Sequence, residues 1–271
     1  MTLRAGVAGY PIAHSLSPVV QGTWIEALGL DAVYERFGPR DETEFEALVQ
    51  RVRTGEIRGL NVTAPYKAQA LDLADVASDV ARRCGSANLL VMRDGLLWAD
   101  STDGMGLMAA LSDQAPGLDV SGQMVVILGA GGAARAAAAA LADAGATVGV
   151  LNRTPERAQA LASDLGGSIK AVTPSVLSEA ALVVNAISAP PAIDLAILRD
   201  DAVLMDMTYR PLETAFLAAG RARGLVGVDG LAMLIGQAKP SFTALFGVGP
   251  PDLPPHDDAR ARALKAIGEA G

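Results

Sequence analysis

The stretch that decides the fold is Val125-Val-Ile-Leu-Gly-Ala-Gly-Gly-Ala-Ala-Arg135. Its four apolar residues, Val125 to Leu128, predict a buried parallel strand. A glycine turn follows, and the alanine-rich run from Ala133 to Ala144 predicts a helix closed by Gly145. The turn fits G-x-G-x-x-A through Gly129, Gly131 and Ala134. In that pattern the first small residue permits a tight turn. The second lets backbone approach a pyrophosphate, and the third packs helix against strand. The helix N-terminus adds N–H groups and the positive end of its dipole, which suit an anion. Thr147 to Arg153 reads as the next strand, so the glycines lie in the strand–turn–helix–strand context that a dinucleotide site requires.

The end of that second strand selects the nucleotide. An NAD site places an acidic residue about 20 residues past the glycines, where it binds the ribose 2′-hydroxyl. This chain has Asn152-Arg153-Thr154, with Arg157 one turn on. A guanidinium suits a phosphate better than a bare hydroxyl, so the reading is NADP.

Outward from this unit, strands alternate with helices from 124 to 228, which predicts a doubly wound α/β domain. Upstream, residues 3–9 read as a strand, and Pro11-Ile-Ala-His-Ser-Leu-Ser-Pro18 as a loop. Ser17 suits the N-cap of a helix whose first residue is Pro18, running to about Leu28. Ala32–Phe37 alternates as a strand, Glu42–Thr54 has helical spacing, and 57–62 reads as a third strand. That strand delivers Thr63-Ala-Pro-Tyr-Lys67 at its carboxyl end, the edge at which open parallel sheets bind ligands. Lys67 would open a helix running through Ala68 to about Val80. A cation there opposes the helix dipole by about 0.3–1 kcal/mol, which a merely solvated lysine would avoid. Strands follow at 87–92 and 96–99, then Asp100-Ser-Thr-Asp-Gly104 before an apolar helix from Met105 to Leu111. Residues 231–246 read as helical with Pro240 interrupting, 249–257 as loop, and 258–269 as a polar terminal helix.

Composition narrows the chemistry. The chain has 271 residues, of which 51% are apolar but only 4% aromatic, so the core is built from Ala, Val, Leu and Ile. The net charge is −8 and no Lys/Arg run occurs, which argues against nucleic acid and for a small-molecule partner. One cysteine, Cys84, precludes an internal disulfide, and His14 and His256 are far apart, so no metal site is expected. No apolar stretch approaches the length of a membrane span, and the start lacks the apolar core of a signal peptide, so the expected location is cytoplasmic. Monomer and homodimer both remain open.

Taken together, the motifs resemble those of the shikimate dehydrogenase family. Residues 11–18 are similar to its substrate loop, Asn61-Val-Thr-Ala-Pro-Tyr-Lys67 to its catalytic-lysine motif, and Thr102-Asp-Gly104 to its catalytic-aspartate motif. Gly129-Ala-Gly-Gly-Ala133 and Asn152-Arg-Thr154 are similar to its NADP motifs. Asp206–Thr214 and Asp229–Leu234 resemble its C-terminal motifs, and the order holds over nearly the whole chain. The resemblance implies two α/β domains. An N-terminal substrate domain, 1–103, is completed by helices in 237–271, and 104–236 is a Rossmann domain for NADP. It implies reversible hydride transfer between shikimate and 3-dehydroshikimate, with Lys67 and Asp103 as the proton-transfer pair. Ser15 and Ser17 would bind the carboxylate. Asn61, Thr63, Asn88, Asp103, Tyr209 and Gln237 would bind ring hydroxyls or close the site. Cofactor contacts carry over to Gly129, Ala130, Gly131, Gly132, Ala133, Asn152, Arg153, Thr154 and Arg157, with Asp79, Met207 and Gly230 as further contacts. Leu89, Ser101, Ile187 and Lys239 depart from the family pattern. Quinate or another shikimate-like acid is therefore an alternative substrate, and a non-catalytic NADP-binding sensor an alternative of another class.

Overall fold

The computed structural model describes residues 2–254 and 258–268. His256 and Glu269, on which two of the sequence expectations fall, lie outside them. The elements in chain order are β1 (Leu3–Ala8), α1 (Ser17–Ala27), β2 (Ala32–Phe37), α2 (Glu42–Arg53), β3 (Gly59–Val62), α3 (Lys67–Asp72), β4 (Val76–Ala77), α4 (Asp79–Cys84), β5 (Leu89–Arg93) and β6 (Leu96–Asp100). After these come α5 (Asp103–Gln114), β7 (Met124–Leu128), α6 (Gly132–Asp143), β8 (Thr147–Leu151), α7 (Pro155–Leu165), β9 (Ile169–Ala171) and β10 (Ala180–Asn185). The last are β11 (Val203–Asp206), α8 (Ala215–Ala222), β12 (Val226–Val228), α9 (Gly230–Phe246) and α10 (Ala259–Ile267). The chain divides into two compact units, Met1–Thr102 with Gln237–Gly271, and Asp103–Gly236.

The first unit holds a mixed six-stranded sheet in the order β2-β1-β3-β5-β6-β4. Its first three strands are parallel, β5 runs antiparallel to β3 and to β6, and β4 lies parallel to β6. Phe45, Leu48, Val49 and Val52 all fall on one face of α2, and that face is buried. Phe45 stacks on Tyr66 at 4.7 Å between ring centroids, which ties α2 to the residue preceding Lys67. The α10 helix packs against α1, with Arg262 paired to Glu26 and Asp258 as its N-cap.

Three local expectations are corrected here. The run from Ala68 to Val80 is not one helix but α3, β4 and α4. Asp75 breaks it by accepting the Leu97 N–H and pairing with Arg53, while Ser78 caps α4 through the Ala81 N–H. These tertiary partners outweigh local helix propensity, which is only a few tenths of a kcal/mol per residue. Ser17 is not the N-cap of α1. Leu16 takes that place, and the Ser15 hydroxyl instead accepts the Ser17 N–H at 3.3 Å. Pro240 does not interrupt α9, which runs through it. Proline removes only one intrahelical donor, and the hydroxyls of Ser241 and Thr243 bond carbonyls four residues back.

The second unit is the doubly wound sheet, all parallel, in the order β12-β11-β10-β7-β8-β9. Strand order reverses between β7 and β10, the switch point beside which such sheets bind ligands. Its core matches the composition. Ala134 and Ala136 to Ala139 of α6 are buried, and a Cβ on Gly104 of α5 would come within 2.8 Å of Ala140 Cβ. Small residues thus let α5 and α6 approach closely, where a larger aliphatic core would hold them apart.

Candidate active site

In the first unit the parallel strands deliver the candidate substrate residues at their carboxyl ends. Ser15 lies in the turn between β1 and α1, and Ser17 is the first residue of α1. Asn61 lies in β3 and Thr63 just beyond it, and Lys67 opens α3. A Cβ on Gly9 would sit 2.3 Å from Thr63 Cγ2, so glycine there is what gives the threonine its place. The Lys67 carbonyl accepts the Ala87 N–H at 2.8 Å, and the Asn88 carbonyl accepts the Val62 N–H at 2.8 Å. The backbones carrying Lys67, Asn61 and Asn88 are therefore fixed against one another.

The side chains of Asn61, Asn88 and Gln237 are joined in one buried network. Tyr34 donates to Asn61 Oδ1 at 2.8 Å, and Asn61 Nδ2 donates to Ser241 Oγ at 2.9 Å and to the Asn88 carbonyl at 3.1 Å. Asn88 Oδ1 accepts the Thr102 N–H at 2.8 Å, while its Nδ2 donates to Thr102 Oγ1 and Gln237 Oε1. The backbone donor of Thr102 settles which end of the Asn88 amide is oxygen. Thr102 Oγ1, already accepting from Asn88, donates to the Gln237 carbonyl at 3.0 Å, and Ser241 Oγ donates to that carbonyl at 3.2 Å. The bonds that Asn61 makes and those between Asn88 and Thr102 are buried, where an unmade bond would cost about 1–3 kcal/mol, while those to Gln237 are part-buried. Burial pushes the Tyr34 hydroxyl far above its ordinary value, which keeps it a donor to Asn61.

Sequence reasoning missed three members of this network. Thr102 lies inside a recognised motif but carries no role in the sequence reading. Ser241 is four residues past Gln237 on α9, a spacing that places both on one helix face. Tyr34 carries no signal, because nothing in the sequence says that its strand pairs beside the one bearing Asn61. Of the departures, Leu89 is buried in β5, Lys239 is exposed, and the Ser101 hydroxyl is buried without a hydrogen-bond partner among the described residues.

The second unit holds Asp103, the first residue of α5 and 8% exposed, and Tyr209, half-buried in the segment after β11. It also carries the dinucleotide turn. Gly129 has φ +116°, and a Cβ there would meet Ile187 Cγ2 at 2.8 Å, so glycine is required by conformation and by space. Gly131 and Gly132 differ, because a side chain at either would meet no protein atom within 4 Å. They leave open backbone at the N-terminus of α6, the cradle that a pyrophosphate needs, with Ala130 and Ala133 flanking them. Asn152 donates to the Thr154 carbonyl at 2.9 Å and shapes the turn before α7. Arg153 and Arg157 are exposed and, among the described residues, no carboxylate engages them. A cavity of about 960 Å³ is lined by Gly129, Asn152, Arg153, Thr173, Ile187 and Pro190, among others, at the carboxyl ends of β7 to β10. A Cβ on Gly230 would stand 2.5 Å from the Met207 carbonyl, so these two candidates are in contact. Asp79 alone among the cofactor candidates belongs to the first unit, where it is solvent-exposed and paired with Arg82.

Residues 7–90 match the family model of the shikimate dehydrogenase substrate binding domain, and residues 110–211 that of shikimate / quinate 5-dehydrogenase. The chain is 50% identical to the shikimate dehydrogenase (NADP(+)) of Caulobacter vibrioides NA1000, over 97% of this chain and 95% of that one. It belongs to the shikimate dehydrogenase family. The corresponding enzyme of Acidiphilium cryptum is 44% identical over 97% of this chain and 95% of its own. Among solved structures, the shikimate 5-dehydrogenase of Thermus thermophilus, in complex with NADP(H) and shikimate, superposes with a TM-score of 0.88. It is 36% identical and covers 98% of this chain and 100% of its own. Shikimate dehydrogenases thus frame both units, and the two family models fall one on each.

Proposed function

We propose that this protein is an NADP-dependent shikimate dehydrogenase interconverting shikimate and 3-dehydroshikimate. The observation that carries the reading is family membership over nearly the whole chain, with near relatives named for NADP and shikimate. The first unit, Met1–Thr102 with Gln237–Gly271, takes the substrate, and the second, Asp103–Gly236, takes the nucleotide. NADP supplies the hydride acceptor, and the protein must then manage the proton leaving the hydroxyl. Lys67 accepts that proton and Asp103 orients the hydroxyl and the ammonium. The Ser15 and Ser17 hydroxyls hold the carboxylate, Asn88 and Gln237 hold ring hydroxyls through amides fixed by Thr102, and Thr63 and Tyr209 complete the grip. Asn61 joins them in binding the ring hydroxyls or closing the site, its amide held by Tyr34, Ser241 and the Asn88 carbonyl.

Initial rates with shikimate and with quinate, each with NADP and NAD, test the proposal. Fast turnover of shikimate with NADP, lost in a folded Lys67→Ala variant, is expected. Preference for quinate would move the protein to a sibling activity, and NADP binding without turnover of either acid would favour the sensor.

A further inference from the structure

We propose that Arg36 is a positioning residue for the carboxylate end of the substrate. It fixes the Ser15–Ser17 turn and places a positive charge beside it. The idea rests on the function proposed above, because that function is what brings an anionic ring acid to these serines.

The argument begins with β2. Side chains two apart on a strand share a face. Tyr34 and Arg36 therefore project from the same face of β2, at successive rungs toward its carboxyl end. Tyr34 reaches Asn61, and Arg36 reaches the Ser15 carbonyl through Nη2 at 2.7 Å and Nε at 3.2 Å. One face of one strand thus supports two separate candidate substrate residues. The neighbouring Glu35 points to the other face and is committed to Arg4 at 2.9 Å, so it does not neutralise Arg36. Among the described residues no carboxylate pairs with Arg36. The fork leaves the Nη1 protons and one Nη2 proton unspent on the Ser15 carbonyl. Within the turn the Ser15 hydroxyl accepts the Ser17 N–H at 3.3 Å and the Ser15 N–H donates to the Ile12 carbonyl at 3.0 Å, and the Arg36 fork ties it to β2. Its two hydroxyls are neutral, and a carboxylate bound to them alone would sit in a chain of net charge −8. A cation held at the same turn offsets that field where the carboxylate arrives.

The test compares Arg36→Met and Arg36→Lys with the wild type in NADP-dependent shikimate oxidation at low and high salt. Arg36→Met should raise KM for shikimate about tenfold at low ionic strength, with kcat and KM for NADP little changed. The wild-type advantage in kcat/KM should shrink as salt is added, because screening removes the charge contribution but not the lost hydrogen bonds. Arg36→Lys, which keeps the charge and loses the fork, should fall between the two and retain the salt dependence. A KM for shikimate within about twofold of wild type in Arg36→Met would overturn the proposal, as would an advantage that does not change with salt. An equal rise in KM for NADP, itself an anion, would also overturn it. A wild type that does not oxidise shikimate would instead refute the function, and the two failures are thereby told apart.

Discussion

At the scale of single residues, the network around Asn88 shows how much of a site is invisible supporting structure. Asn61 is legible from its place near the carboxyl end of a strand, whereas Asn88 and Gln237 are implied by the resemblance to the family alone. Tyr34 is legible from neither, since its role depends on which strand lies beside β3. Its hydroxyl is the donor to the buried Asn61 Oδ1. Tyr34→Phe keeps the ring and removes only that donor, leaving a buried acceptor unpaired. The variant should lose about 1–3 kcal/mol of stability in urea denaturation. The loss should be the same at pH 6 and pH 9, because burial holds the wild-type hydroxyl protonated throughout that range. A denaturation midpoint equal to wild type would show that Asn61 finds another donor and that the bond is dispensable.

At the scale of elements, the sequence and the structure agree where hydrophobic period and glycine chemistry coincide, as in β7, α6 and β8. They part where tertiary partners decide. The stretch after Lys67 has helical composition throughout, yet Asp75 turns it into the short strand β4. It does so by binding Arg53 of α2 at 2.6 Å and the Leu97 N–H of β6 at 2.7 Å. No local pattern announces those partners. Arg53, and then the Leu97 N–H, hold the Asp75 carboxyl below the usual carboxylate range. A carboxyl so depressed stabilises the fold above its unfolded pKa and loses that contribution as pH falls through the folded value. Wild type should therefore melt above Asp75→Asn at pH 7, and the gap should close as pH drops below about 4. A gap that persists at pH 2 would assign the effect to lost hydrogen-bond geometry, not to the charge.

At the scale of the whole molecule, the charge balance sets the problem that the binding residues must solve. The chain carries −8, and the proposed ligands, NADP and a ring carboxylic acid, are both anions. Affinity then has to come from local cations and oriented backbone, set against an unfavourable overall field. Arg153 and Arg157 fit that need, because they stand past β8 with no carboxylate engaging them among the described residues, and Arg153 lines the cavity beside Gly129. The 2′-phosphate is the sole difference between NADP and NAD, so an arginine that binds it contributes to one nucleotide alone. Arg153→Ala should raise KM for NADP by roughly 10- to 100-fold, the worth of a charge-assisted phosphate contact, while KM for NAD changes little. The NADP preference of the wild type should also fall as ionic strength rises, since the added phosphate interacts through charge at an exposed site. If Arg153→Ala weakened both nucleotides equally, the arginine would be shaping the turn before α7 and the phosphate would have to be sought at Arg157. If neither changed, nucleotide choice would rest on the backbone cradle and the cavity walls, which cannot tell the two dinucleotides apart by charge.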